Sequence, residues 1–225
     1  MMPTVVCSIF FLVTLGASMG VLLLSFLLLT VLGIDSELTL IVIGIVGAML
    51  VVINMILISG YCGALVNEYY RALHGQRVGI TSFMRYAFKN SPQFFVIVLV
   101  KLIVIGFFIT PLALLYYFMD LGSIHSAILY IFVAVALFIW LIIDFLFAFS
   151  FIAYVEKRVK PLSAILISLN FIKDTHIKAF LVYALYVIVC LSLMIPLLNI
   201  LVYFVFYPMA MASLIKFFEK ESARY

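Results

Sequence analysis

Phe88–Leu115 reads FKNSPQFFVIVLVKLIVIGFFITPLALL, and from Phe94 to Ile109 its one polar side chain is that of Lys101. Crossing the roughly 30 Å hydrocarbon layer takes about 20 helical residues, and in lipid a backbone satisfies its own hydrogen bonds only as a helix or a closed barrel. The stretch is therefore a membrane span with a charge set inside it. Much of its layout returns at Ile172–Leu201, IKDTHIKAFLVYALYVIVCLSLMIPLLNIL. Each copy opens with a lysine and two cap-forming residues, Lys89-Asn90-Ser91 and Lys173-Asp174-Thr175, and closes on Pro111-Leu112 or Pro196-Leu197. Ser91 and Thr175 are suited to cap a membrane helix, and Pro92 to occupy its first position, where a missing N–H costs nothing.

Apolar runs of spanning length occur at about 5–34, 38–66, 92–119, 124–155, 177–195 and 197–218. With 68% hydrophobic and 10% charged residues over 225 positions, against roughly a quarter charged in soluble domains, the whole chain 1–225 reads as one transmembrane domain. The fold class expected is all-α, a polytopic bundle of six transmembrane helices with a parallel internal repeat. The first run resembles a secretory signal in its Gly16-Ala17-Ser18 tail, but no Lys or Arg precedes it and the apolar run resumes at Val21. It reads as a retained span.

Basic residues set the orientation. Arg71, Arg77, Arg85 and Lys89 follow the second span; Lys157, Arg158, Lys160, Lys173 and Lys178 follow the fourth; Lys216, Lys220 and Arg224 close the chain. The opposite loops hold Asp35, Glu37, Asp120 and His125 with no Lys or Arg. Both termini are thus expected on the cytoplasmic side of a cell membrane. The net charge of +4 speaks of anionic lipid headgroups, with Arg77, Arg85, Lys89, Lys157, Arg158, Lys160 and Lys173 facing them, and not of nucleic acid.

Ahead of each repeated span lies an amphipathic stretch, at about 80–90 and 161–173. Ile80, Phe83, Met84, Ala87 and Phe88 share one helical face; so do Leu162, Ile165, Leu166, Leu169 and Ile172. Helices of this build lie in the interface plane. In this architecture, and in Pro161, Ala164, Ser168, Phe171, Lys173, Pro196 and Tyr207-Pro208, the chain resembles a group of six-span prokaryotic proteins that includes the membrane domain of some glycerophosphodiester phosphodiesterases. The resemblance runs over about residues 60–215 and implies the six-span fold and a cytoplasmic-membrane location. It carries over no catalytic residue.

No enzyme, cofactor or metal is expected. His74, His125 and His176 all fall at loops or span ends, so Gly16-Ala17-Ser18 has no histidine base for an intramembrane serine, and no H-E-x-x-H or phosphate loop occurs. Cys7, Cys62 and Cys190 lie in three different spans and read as buried apolar side chains. Gly16 and Gly20 have the G-x-x-x-G spacing that lets helices approach closely, and Gly60 with Ala64 offers a second small face.

One other formal charge is deep in a span, Asp144. Lys101 lies about 13 Å past Pro92 and Asp144 about 15 Å before the interfacial Tyr154, at 1.5 Å per residue. The two therefore reach similar depth on neighbouring helices, and an unpaired charge there costs roughly 2.5–3.5 kcal/mol. They are expected to pair, with Asn54 as a third polar group. Lys101 snorkelling to lipid phosphate is the other structural option. Two functions fit. One is a non-catalytic accessory or anchoring subunit of a membrane transport or lipid-related system, working with a protein partner or as a homo-oligomer. The other is a self-contained transporter or channel using Asp144 and Lys101 in a proton or ion pathway, for which Asn54, Ser150, Ser192 and Asn199 are the remaining polar groups.

Overall fold

The computed structural model describes residues 2–31, 36–118, 126–193, 195 and 199–223, and among these there is no strand. In order come α1 (Met2–Val31), α2 (Ser36–Leu73), α3 (Ile80–Phe118), α4 (Ser126–Phe147), α5 (Ser150–Lys157), α6 (Pro161–Ser192) and α7 (Asn199–Ser222). Among the described residues six segments are long and apolar enough to cross a membrane, α4 and α5 together making the fourth. The fold is all-α and polytopic. Asp35, Asp120, His125, Arg224 and the proline expected to end the second repeat, Pro196, lie outside the described residues. The chain forms two compact units, Met1–Phe95 and Val96–Tyr225, which divide within α3.

In the first unit the core sits at the basic end of the spans. Phe83, Ala87, Ser91 and Phe94 form one buried stripe of α3, at i, i+4, i+8 and i+11. The last turns of α2 bury Tyr61, Ala64, Leu65 and Glu68, and Tyr61 stacks on Phe83 with ring centroids 6.4 Å apart. Small residues allow this approach. A Cβ at Gly60 would lie 2.6 Å from Ser91 Cβ and 2.8 Å from the Ala87 carbonyl, and one at Gly63 would enter the Phe94 ring. Ala64 is fully buried on the same face. Gly16 and Gly20 are different: nothing lies within 4 Å of either Cβ position among the described residues. Within the described chain this small face is left open, as a face kept for a partner helix would also be. Hydroxyls hold α1 to α2 instead, Thr4 to Tyr69 at 2.6 Å, Thr14 to Tyr61 at 2.9 Å and Asn54 Nδ2 to Ser18 Oγ at 2.9 Å. Past Ser18, the side chains of Leu23, Leu24, Phe26 and Leu28 stand exposed.

In the second unit the fourth span is interrupted at Ala148-Phe149. The break turns Phe149 into a fully buried ring, 4.9 Å from Phe171, 5.9 Å from Phe218 and 6.2 Å from Phe217 between centroids. A side chain of that size contributes about 1.5–3 kcal/mol on burial. The last turn of α4 leaves carbonyls without helical donors, and buried Ser168 of α6 donates to that of Leu146 at 2.9 Å. α7 contains a further irregularity. Pro208 has no N–H for the Phe204 carbonyl and its ring crowds that oxygen. Ahead of it the chain widens into a π-helix, Val202–Phe206, with Tyr207 N–H reaching the Val202 carbonyl.

The two amphipathic stretches depart from expectation in both boundary and face. α3 passes through Pro92 without interruption, so Ser91 is not a cap. Pro92 deprives the Phe88 carbonyl of its donor, and Ser91 Oγ donates to that same oxygen at 3.3 Å. α6 breaks at His176, with φ 27° and ψ −100°, which sets residues 161–175 off from the span. The second stretch buries Ala164, Ile165, Ser168, Phe171 and Ile172, while Leu162 and Leu166 are exposed. In the first, Phe83 and Ala87 are buried and Ile80 and Phe88 exposed. Protein and lipid both accept apolar side chains, so each stretch divides its apolar residues between an inner and an outer face.

Candidate functional site

The polar centre of the second unit is built from three helices. Lys101 of α3 is ion-paired to Asp144 Oδ1 of α4. The other carboxylate oxygen, Oδ2, accepts a hydrogen bond from the Tyr183 hydroxyl of α6 at 2.6 Å. Phe145 packs on the Tyr183 ring with centroids 5.2 Å apart and fixes its direction. Tyr183 is buried, and the Lys101 and Asp144 side chains remain 26% and 24% exposed. Each oxygen of the single carboxylate faces a donor, so the arrangement neutralises the lysine and ties three helices at one level. Charge-assisted bonds of this kind are roughly twice as strong as neutral ones.

The third partner is thus Tyr183 and not Asn54, which belongs to the first unit and bonds to Ser18. The depth arithmetic that placed Lys101 and Asp144 applies equally to Tyr183: it lies eight residues past Thr175, about 12 Å along the helix. Of the other deep polar residues, Ser192 donates back to the Ile188 carbonyl at 2.8 Å. Ser150 is fully buried with no partner for its hydroxyl among the described residues. Asn199 opens α7.

A second polar cluster, absent from the sequence reading, closes the basic end of the first unit. Glu68 is fully buried near the end of α2. Its Oε1 accepts from Arg71 Nη1 at 3.1 Å and Ser82 Oγ at 3.0 Å, while Oε2 is buried without a partner. Arg71 also reaches Gln76 Oε1 at 3.2 Å and the Arg77 carbonyl at 2.9 Å. The turn itself is a Schellman motif: Gln76 N–H bonds the Arg71 carbonyl, Gly75 N–H that of Ala72, and Gly75 takes φ 69°. In the second unit Glu156 occupies a comparable place, its Oε1 meeting Lys157 at 3.0 Å and Ser222 at 3.2 Å. The detectable signal for Glu68 was the Glu-x-x-Arg spacing to Arg71, which puts the two on one helical face.

Arg77, Arg85, Lys89, Lys157, Arg158, Lys160 and Lys173 are all exposed. Arg158 takes the left-handed conformation, φ 50°, that ends α5, and Lys160 is extended ahead of Pro161, as a residue before proline must be. Cys62 is exposed and Cys7 and Cys190 half-buried, none of them in a disulfide, where buried positions were expected. Among the described residues no three or more His, Cys, Asp or Glu side chains come together as a metal site. Neither a family model, a curated protein nor a solved structure matches the chain.

Proposed function

We propose that this multi-pass membrane protein is a non-catalytic accessory or anchoring subunit of a membrane transport or lipid-related system. In this reading it sits in the cytoplasmic membrane with both termini on the cytoplasmic side. The observation that carries it is the pairing of the deep polar groups. Both oxygens of Asp144 are taken by Lys101 and Tyr183, and Asn54 is taken by Ser18. Polar side chains spent on each other join helices and leave little to coordinate a passing solute. The outer halves of the spans meanwhile present large apolar side chains, such as Met19, Leu40, Met49 and Phe107, a surface for lipid and for the spans of a partner. Extraction in mild detergent followed by identification of what co-purifies tests this. A reproducible companion of defined stoichiometry is the expected result, and a chain that comes out alone overturns it.

The transporter reading has one observation in its favour, the partial exposure of Lys101 and Asp144. It requires proton or ion flux through liposomes that Asp144→Asn abolishes.

A further inference from the structure

Both amphipathic stretches bury one face, and the side each leaves uncovered carries both apolar and basic residues. At 100° per residue, Leu162, Leu166 and Lys173 fall within about 40° of one another, and all three are exposed. In the first stretch Ile80 and Phe88 are exposed on the same side as half-buried Met84, with exposed Arg85 and Lys89 about 100° and 140° round the helix from the middle of that row. Basic residues crowd the approach to each: Arg77 before the first, Arg158 and Lys160 before the second, all exposed. Among the described residues, no carboxylate pairs with Arg85, Lys89, Arg158, Lys160 or Lys173. Lys157, in contrast, is held by Glu156.

We infer that these two outer faces, one per repeat, are binding sites for anionic lipid headgroups: the apolar row enters the acyl boundary and the unpaired cations hold the phosphates. Charge complementarity selects this occupant. A neutral headgroup leaves the row of cations uncompensated, whereas an anionic leaflet attracts each by the equivalent of about fivefold in partitioning. The inference is independent of which partner the chain serves.

The test purifies the full chain from detergent holding equal amounts of phosphatidylglycerol and phosphatidylcholine, and weighs the retained lipids by mass spectrometry. Phosphatidylglycerol is expected to be enriched. The enrichment should fall at least about fivefold in a variant carrying Arg85→Gln, Lys89→Gln, Lys160→Gln and Lys173→Gln, and should fall with added salt in the unaltered chain. The salt titration decides the matter should that variant fail to fold. Equal retention of the two lipids, or enrichment indifferent to salt, overturns the inference. So does an acidic protein bound through these residues with no lipid preference beside it.

Discussion

At the same step of the repeat, Ser91-Pro92 in one copy and Thr175-His176 in the other, the backbone does opposite things. The proline is carried within an unbroken helix, and the histidine, which has no such handicap, sits at the break. Proline's cost lies largely in the carbonyl it strands and crowds, and Ser91 attends to that carbonyl. At His176 a left-handed φ, which costs a non-glycine residue of order 1–3 kcal/mol, is maintained by the packing around it: Phe171 and Thr175 are buried on one side and Ala179 and Tyr183 on the other. The same contrast extends to how each unit is fastened. The first joins α1 to α2 through neutral hydroxyl and amide pairs. The second ties α3, α4 and α6 through charge.

The largest effect expected is on that charged tie. Asp144→Ala strands Lys101 and Tyr183, and loss of one member of such a pair costs about 3–5 kcal/mol. Chemical unfolding in detergent should show it, with Lys101→Ala adding far less on top of Asp144→Ala than it does alone. Strict additivity would mean the ion pair contributes nothing. Next comes Gly63→Ala, which drives a Cβ into the Phe94 ring and should cost about 1–3 kcal/mol. Gly16→Ala, with no neighbour within 4 Å among the described residues, should be neutral or stabilising by up to about 1 kcal/mol.

His176→Gly removes the conformational penalty and should raise the unfolding midpoint, by the equivalent of about 1 kcal/mol; a drop would show that the imidazole itself supports the break. Ser91→Ala should cost about 1 kcal/mol in the natural chain and close to nothing beside Pro92→Ala, because the restored amide then serves the Phe88 carbonyl. The smallest loss in the natural chain is that of Asn54→Ala, at about 0.6 kcal/mol, the average for a neutral hydrogen bond between membrane helices. A loss as large as that of Asp144→Ala would erase the distinction between the two units.

The spans were legible because length and hydropathy are all that a bilayer asks of a helix, and the Lys101–Asp144 pairing because depth is countable at a fixed rise per residue. Three things were not. Which apolar residues of 161–173 face inward is invisible to periodicity, since Leu166 and Phe171 satisfy lipid and protein alike. The break at His176 in place of Pro92 runs against local propensity and is decided by neighbours far along the chain. Glu68 was hidden by its position: a carboxylate two turns from a span end counts as a loop charge until Ser82 and Arg71 are seen to fold over it.

α2 and α3 contain 38 and 39 residues, close to 60 Å of helix at about 1.5 Å per residue, nearly twice the hydrocarbon thickness. Their buried contacts in the first unit gather between Ser59 and Tyr69 and between Phe83 and Phe94, and the strongly apolar stretches of α1 and α2 bury nothing. A helix that is closely packed over only part of its length adapts to hydrophobic mismatch by tilting, at a cost of only fractions of a kcal/mol per Å. The first unit is thus constructed to keep its packed end intact while the lipid-facing lengths of α1 and α2, linked at Ser18–Asn54, tilt together to follow a thin membrane or a thick one.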